Sequence, residues 1–444
     1  MSPEPSPCFS IAPTPYGGRG AFASKHIPKD TLILSCEAPY ASVVCRKFRK
    51  EVCAWCFSWS WEVARKGNWS ISVPLEPQRV VNGSTPRKNV TGNGPNGGVW
   101  FCQEKCRNDW IDDGEDMELD SDTGHAGVRG LVNAALERCL TTMEKGKTRP
   151  RTTPASNGIE LGWVSFLQTL EDLESGDDIS PTFLEDTWER AEQLSSFSRS
   201  STPTVKDVVR ISGRENAKMV PLSPTILSEF ELDTARFVLS GLLRRCISLS
   251  HTATSLANET SISTNSAGAW LDVLDLQDNT LLHVQSKPHI LASNVRVWAF
   301  IKFVVHSAST EVRSLSEKTK HLVQVLKKSV DSPHDTRAIL GREHGNVFGI
   351  WDMAPEGVDS EMLGWGLYPF GSYFNHDCEP SLHKKRQGRV MEYYALRDVC
   401  AGEELCISYV DNDEGVDQRR KALREWFFAC GCLKCKTELA SGGA

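Results

Sequence analysis

Three thiols crowd the end of this chain. Cys430, Cys432 and Cys435 fall within six residues, and Gly431 between the first two leaves them no helix to sit on. Zinc takes four ligands in a tetrahedron, so the trio asks for a donor from elsewhere. Cys378 is the natural fourth. Closing that set pulls the segment Asn375-His376-Asp377-Cys378-Glu379-Pro380 against the tail. An isolated Tyr409 lies between them, after a Gly402-Glu403-Glu404 turn and a short β-type run. A second closed set is spelled by Cys53-x-x-Cys56 and Cys102-x-x-x-Cys106. Each pair places two sulfurs on one side of a tight turn, and the metal replaces the small core such a segment lacks.

These groups must be positioned by the elements around them. Thr31–Leu34 and Tyr40–Val44 are β-prone, with Pro28 and Pro39 as punctuation, so residues 16 to 45 read as strands. Val81 to Gly98 is rich in Gly, Asn, Pro and Thr and reads as a loop. Residues 113 to 340 are mostly helical. Ala235, Val238, Leu239, Leu242, Leu243, Cys246 and Ile247 recur at helical spacing, as do Val297 to Val305 and Leu315 to Val330. Polar gaps fall at Lys145 to Gly158 and Ser248 to Ala267. Residues 346 to 410 return to short strands and turns, and Gln418 to Phe428 reads as a charged helix leading to the last cysteines.

The 444 residues suffice for two or three domains. Net charge is −7 with no basic tail, which disfavours direct nucleic-acid binding through phosphates. No apolar run of about 20 residues predicts a membrane span, and Met1-Ser2-Pro3-Glu4-Pro5 has no apolar leader behind it. Fifteen cysteines in that setting point to metal binding and free thiols. Nucleus, cytoplasm or both is the expected location.

The order of motifs resembles the SET domain of protein lysine methyltransferases, in which Asn-His-x-Cys-x-Pro precedes a tyrosine and a cysteine-rich tail. Gly364-Trp365-Gly366-Leu367-Tyr368-Pro369 and the closing cysteines look more narrowly like the SET-and-MYND subfamily. Gly17-Gly18-Arg19-Gly20-Ala21-Phe22-Ala23, followed by Ile27-Pro28-Lys29-Asp30, resembles the first strand pair of that domain. The likeness covers roughly residues 16 to 112 and 341 to 436. It implies an α+β, pseudoknotted β-rich SET domain split by a small zinc finger and a helical insert, with a post-SET zinc tail. The implied organisation is 1–45 for the first SET part, 46–112 for the finger, 113–340 for the helical insert, 341–415 for the SET core and 416–444 for the tail. Phe101-Cys102-x-x-x-Cys106-x-x-x-Trp110 resembles the end of a MYND finger, but the family's second metal site lacks its Cys-x-x-Cys and His-x-x-x-Cys here. One zinc in the finger and one in the tail are therefore expected.

The resemblance also implies roles. S-adenosylmethionine is the cofactor and zinc the structural metal. Arg19, Gly20, Asn346, Asn375, His376, Tyr409 and Phe428 match cofactor-binding positions. Tyr409 matches the catalytic tyrosine, and Tyr368 and Phe374 match the lysine channel, whose aromatic walls suit an aliphatic stem carrying a cation. Two positions depart: Asp377 stands where Ser is usual, and Ser381 where Asn usually follows the proline. Asp377 either steadies a lysine ammonium or faces solvent. The implied partner is a protein substrate with a target lysine, a histone among the candidates, acted on by a monomer. Two readings follow: an active lysine methyltransferase, or a catalytically silent SET protein acting as an adaptor. The joint presence of Asn375, His376 and Tyr409 favours the first.

Overall fold

The computed structural model describes residues 8–15, 17–62, 67–74, 96–112, 127–147, 158–175, 178–196, 227–252, 267–310, 316–352 and 360–441. The architecture is mixed helix and sheet. Small sheets come from both ends of the chain, with a helical body inserted between them.

The N-terminal strands are β1 (Phe9–Pro13), β2 (Arg19–Ala23), β3 (Leu32–Cys36) and β4 (Ala41–Val44), and β2 to β4 fall within the stretch expected to be strand. Their partners lie more than three hundred residues away. β4 pairs with β8 (Met362–Leu367), which pairs in turn with β7 (Val347–Trp351), all antiparallel. Gly364 permits this pairing, because a Cβ there would overlap the Val43 carbonyl. β3 forms the edge of a second sheet behind β11 (Val390–Ala395) and β10 (Leu382–Gln387). Two short strands, β9 (Asn375–His376) and β12 (Cys406–Ile407), pair in parallel and bring the Asn-His segment beside the approach to Tyr409. In the finger, β5 (Ile71–Pro74) pairs with β6 (Asn96–Phe101), followed by helix α1 (Glu104–Asp112). The expected loop at Val81 to Gly98 thus ends in strand from Asn96, and its residues 81 to 95 lie outside the described residues.

The insert is built on α2 (Gly127–Lys147), α3 (Gly158–Glu171), α4 (Pro181–Ser196), α5 (Glu229–Thr252) and α8 (His289–Ser309), with short α6 (Trp270–Asp275) and α7 (Thr280–Ser286) between the last two. Helices α9 (Glu317–Asp331) and α10 (His334–Asn346) follow. The helical periods read from sequence fall inside α5 and α8, and the third coincides with α9 from Glu317, its first residue Leu315 lying outside the described residues. Helix α8 is apolar almost all round, from Leu291 to Ala308, so it is a core helix. Its one buried cation, Lys302, donates to Ser195 Oγ at 2.9 Å and to the Asp331 carbonyl at 3.0 Å, which replaces the water it lost. The polar gaps expected at Lys145 to Gly158 and Ser248 to Ala267 are helical at their edges, 145–147, 158 and 248–252, and their residues 148–157 and 253–266 lie outside the described residues.

Helix α5 anchors the insert to the sheet. Gly241 lets it approach β4: a Cβ there would lie 3.2 Å from Ala41 Cβ and 2.9 Å from Ile339 Cδ1. The tail departs from the expected single helix over Gln418–Phe428. Helix α11 (Val416–Leu423) stops early, a 3-10 turn covers Arg424–Trp426, and Phe427 is left-handed at φ 61°. A last helix, α12 (Leu433–Ser441), carries Cys435, so the closing thiols do have a helix among them.

Candidate active site and metal centres

Two groups of four thiols converge. Cys53, Cys56, Cys102 and Cys106 have their sulfurs within 4.8 Å of one another, as do Cys378, Cys430, Cys432 and Cys435. They are the two four-cysteine groups among the described residues. The donor sets suit zinc: four sulfurs, tetrahedral in number, largely buried. In the finger, thiol neighbours push Cys53 and Cys56 below the usual thiol range, and Cys53 pushes Cys102 and Cys106 above it. Four thiols this close cannot all ionise unless a cation offsets their charge. Beside the tail group, buried Arg419 donates to Cys435 Sγ at 3.6 Å and to Glu438 at 2.8 Å, a cation against anionic sulfur.

The tail group fixes the aromatic residues that precede it. Trp426 lies 5.5 Å from the Tyr409 ring, and Phe428 lies 6.4 Å from it, edge-on, and 6.1 Å from His376. The sequence reading named Phe428 and missed Trp426, although both sit just before Cys430. Phe427 turns the other way, onto His344 at 4.9 Å, and His344 stacks on His283 at 3.8 Å.

Tyr409 is the centre of this arrangement. Its hydroxyl donates to the Phe374 carbonyl at 3.0 Å, its backbone N–H donates to His376 Nδ1 at 3.1 Å, and burial pushes its phenol above the ordinary range. The His376 ring is thereby fully engaged, since Nε2 faces Cys378 Sγ at 3.3 Å. Burial lowers its pKa to about 4, so the ring is neutral and works as a brace between the metal loop and the tyrosine.

Asn375 joins the other half of the site. Its Nδ2 donates to the Arg19 carbonyl at 3.1 Å and to Glu404 Oε1 at 2.8 Å, which leaves Oδ1 as an acceptor. Gly20 makes this approach feasible: a Cβ there would overlap Glu404 Oε1 and sit 2.7 Å from Asn375 Nδ2. Glu404 was not singled out from sequence, and its position in the turn before Tyr409 was the available signal.

The insert contributes as well. Arg19 pairs with Asp275 at 2.8 Å, and the Tyr373 hydroxyl donates to the same carboxylate. The Arg19 guanidinium lies 5.3 Å from the Tyr373 ring centre. Asn346 Nδ2 donates to the Gln277 carbonyl at 3.2 Å, and its own carbonyl accepts from Ser372 Oγ at 3.0 Å. Residues 275 to 277 therefore tie Arg19 and Asn346 to the helical body, a link that no local motif announces.

Tyr368 and Phe374, expected on a channel wall, are both fully buried. Tyr368 is fully buried, with Phe348 edge-on at 5.9 Å and its hydroxyl given to the Arg389 carbonyl at 2.9 Å. Phe374 turns its ring into the core, 4.7 Å from Tyr393, and presents its carbonyl to Tyr409. The Asp377 carboxylate accepts the Glu379 N–H at 2.8 Å. Ser381, standing where an asparagine is usual, is buried and accepts the Cys406 N–H at 2.9 Å.

The SET domain family model matches residues 18–410, so this chain belongs to the SET domain family, and its SET-and-MYND-like character is supported by its relatives. It is 26% identical over 450 residues to the Saccharomyces cerevisiae protein described as "Potential protein lysine methyltransferase SET6", covering 99% of this chain and 97% of the relative. A SET and MYND domain-containing protein of Dictyostelium discoideum is 28% identical over 171 residues, 37% of this chain and 41% of that protein. The mouse histone-lysine N-methyltransferase SMYD3 is 38% identical over 82 residues, 18% of this chain and 19% of that protein. The chain thus spans nearly all of the yeast relative and less than half of the other two.

Proposed function

We propose that the protein transfers a methyl group from S-adenosylmethionine to the side-chain amine of a lysine in a protein substrate. The observation that supports this best is the Gly20–Asn375–Glu404 cradle beside a buried Tyr409. With no Cβ at Gly20, the Asn375 amide and the Glu404 carboxylate close directly on the β2 backbone. Asn375 Oδ1 and the Glu404 carboxylate offer acceptors for an ammonium, and the Arg19 guanidinium, held by Asp275, keeps further N–H groups for a carboxylate.

The cofactor, when bound, supplies the methyl on a sulfonium. The chain's own residues do the rest. Phe428 and Trp426 pack on Tyr409 and present an apolar wall, which favours the neutral form of an amine beside it. The Phe374 carbonyl and the Tyr409 oxygen, 3.0 Å apart, can accept from such an amine and hold it in line. Neither must take a proton in the transfer step. The high phenol pKa keeps Tyr409 neutral throughout.

A histone is one candidate substrate, since some relatives carry that word in their names. The adaptor reading is less favoured, because a silent scaffold needs no polar cradle beside a buried phenol. Calorimetric titration of S-adenosylmethionine into the zinc-loaded protein tests the proposal. It predicts one saturable site, and the absence of binding would move the assignment to the adaptor.

A further inference from the structure

The tail turn that carries Trp426 and Phe428 is fastened to the helical insert as well as to its own thiols. Lys287, just past α7, pairs with Glu425 at 2.5 Å, and His344 Nε2 donates to the Glu425 carbonyl at 2.6 Å. The Phe427 ring lies 4.9 Å from the His344 ring and 5.9 Å from that of His283. The two imidazoles stack on each other at 3.8 Å, 23° from parallel. Asn279, buried just before α7, donates to the His344 carbonyl at 2.8 Å and so holds the stack from behind. Gly345 follows at φ 93°, and a Cβ there would lie 2.6 Å from Asn279 Nδ2, so this close seat requires glycine.

Three successive side chains of the turn point to two places. Trp426 and Phe428 go to Tyr409, and Phe427 between them goes to the histidines. Phe427 is left-handed at φ 61°, a conformation that costs a non-glycine residue and persists only where its surroundings hold it. The thiols fix the chain from Cys430 onward, and the histidines fix it at Glu425 and Phe427. Without its seat on the stack Phe427 relaxes, and its two neighbours move with it. Both rings are neutral at neutral pH: burial, then His344, holds His283 down at about 4, and burial lowers His344. The other titratable groups facing the stack are Lys287, His289 and Glu425, and Glu425 is already paired with Lys287. A positive charge placed in the stack therefore meets repulsion that no free carboxylate among these groups offsets.

We infer that the His283–His344 stack is a latch by which the helical insert holds Trp426 and Phe428 on Tyr409, and that it holds only while both rings are neutral. The two histidines are positioning residues that act through Phe427. The latch rests on the methyl-transfer reading only where cofactor affinity is the readout.

The test uses the zinc-loaded full chain near neutral pH. The position of the turn is read without ligand, as the part of the tryptophan emission that Trp426→Phe removes. Affinity is read as calorimetric binding of S-adenosyl-L-homocysteine. His283→Lys, which sets a permanent cation in the stack, should shift the Trp426 emission to the red and weaken binding at least tenfold. His283→Phe keeps a neutral ring there and should stay within threefold of the wild type in affinity, with unshifted emission. His344→Ala removes the seat of Phe427 without adding charge and should behave like His283→Lys, which keeps the test decisive if one of the two fails to fold. Zinc content should equal that of the wild type throughout. Folded, zinc-loaded His283→Lys or His344→Ala with wild-type Trp426 emission overturns the latch. So does an emission shift seen only where zinc is lost, because the metal alone would then hold the turn. Equal losses in His283→Phe and His283→Lys overturn it too, because the shape of the site and not its neutrality would then matter. A wild type that binds no S-adenosyl-L-homocysteine removes the methyl-transfer reading, while the Trp426 emission still decides the latch.

Discussion

Replacing Gly20 by alanine is the sharpest test of the cradle. The position has an ordinary backbone conformation inside β2, so the added methyl is tolerated by the chain itself. Its cost comes from what it meets. The new Cβ would overlap Glu404 Oε1, lie 2.7 Å from Asn375 Nδ2 and 3.1 Å from Thr14 Cγ2. Ordinary contact begins near 3.5 Å, so the Asn375 amide must retreat by about 0.8 Å. That movement strains the Asn375–Glu404 hydrogen bond and turns Oδ1 from its place. Overpacking of this kind costs about 1–3 kcal/mol of stability. Losing one hydrogen bond to a charged ligand group costs about 1.5–3 kcal/mol, which is roughly 10- to 100-fold in affinity. Gly20→Ala should therefore bind S-adenosyl-L-homocysteine 10- to 100-fold more weakly in calorimetry. The same variant should stay folded, with its melting temperature lowered by a few degrees. Binding within twofold of the wild type would refute the cradle, because the methyl would then have found room that the geometry denies it.

Three further outcomes follow. Metal analysis should give two zinc ions per chain, and Cys432→Ser should lose one of them together with the Trp426–Tyr409 contact, read as a change in tryptophan fluorescence; three ions, or an unchanged spectrum, would contradict the assignment. Asp275→Asn should weaken the tether between Arg19 and the insert, and since the pair is exposed the loss of stability should stay within about 1 kcal/mol in denaturant titration. Stability should also fall as pH is lowered from about 6.5 towards 4, because burial, then the neighbouring His344, holds His283 down at about 4 in the folded chain. In that window the unfolded chain binds more protons, so the stability present above the unfolded pKa is lost on acidification. His283→Gln should flatten this dependence of the urea midpoint, and an unchanged slope would remove His283 from the account.

Much of the site was legible because its chemistry is written in short spacings. Four thiols in two pairs, or three thiols after a fourth, announce a metal through ligand count alone. Asn375-His376 and Tyr409 could be placed by their order around those thiols, and the helical periods of α5 and α8 located the body that supports them. What escaped depends on contacts across long separations. Nothing near Arg19 in sequence points to Asp275, 256 residues away, because α6 only becomes its neighbour when the insert docks on β4. Packing at Tyr368 was equally hidden: it lies just past β8, fully buried, with its hydroxyl given to the Arg389 carbonyl. The tail helix was misjudged because Phe427 adopts a left-handed conformation that no apolar period reveals. That turn separates Phe427, which packs on His344, from Phe428, which packs on Tyr409.

The central claim is that Tyr409 positions a lysine amine for methyl transfer. It is tested most directly by incubating the protein and its Tyr409→Phe variant with methyl-labelled S-adenosylmethionine and fractionated cell extract, then locating the label by residue. The account predicts label on lysine with the wild type and at least a hundredfold less with Tyr409→Phe, while both bind S-adenosyl-L-homocysteine within about threefold of each other. Equal labelling by the variant, or a wild type that binds the cofactor and labels no lysine, would contradict it.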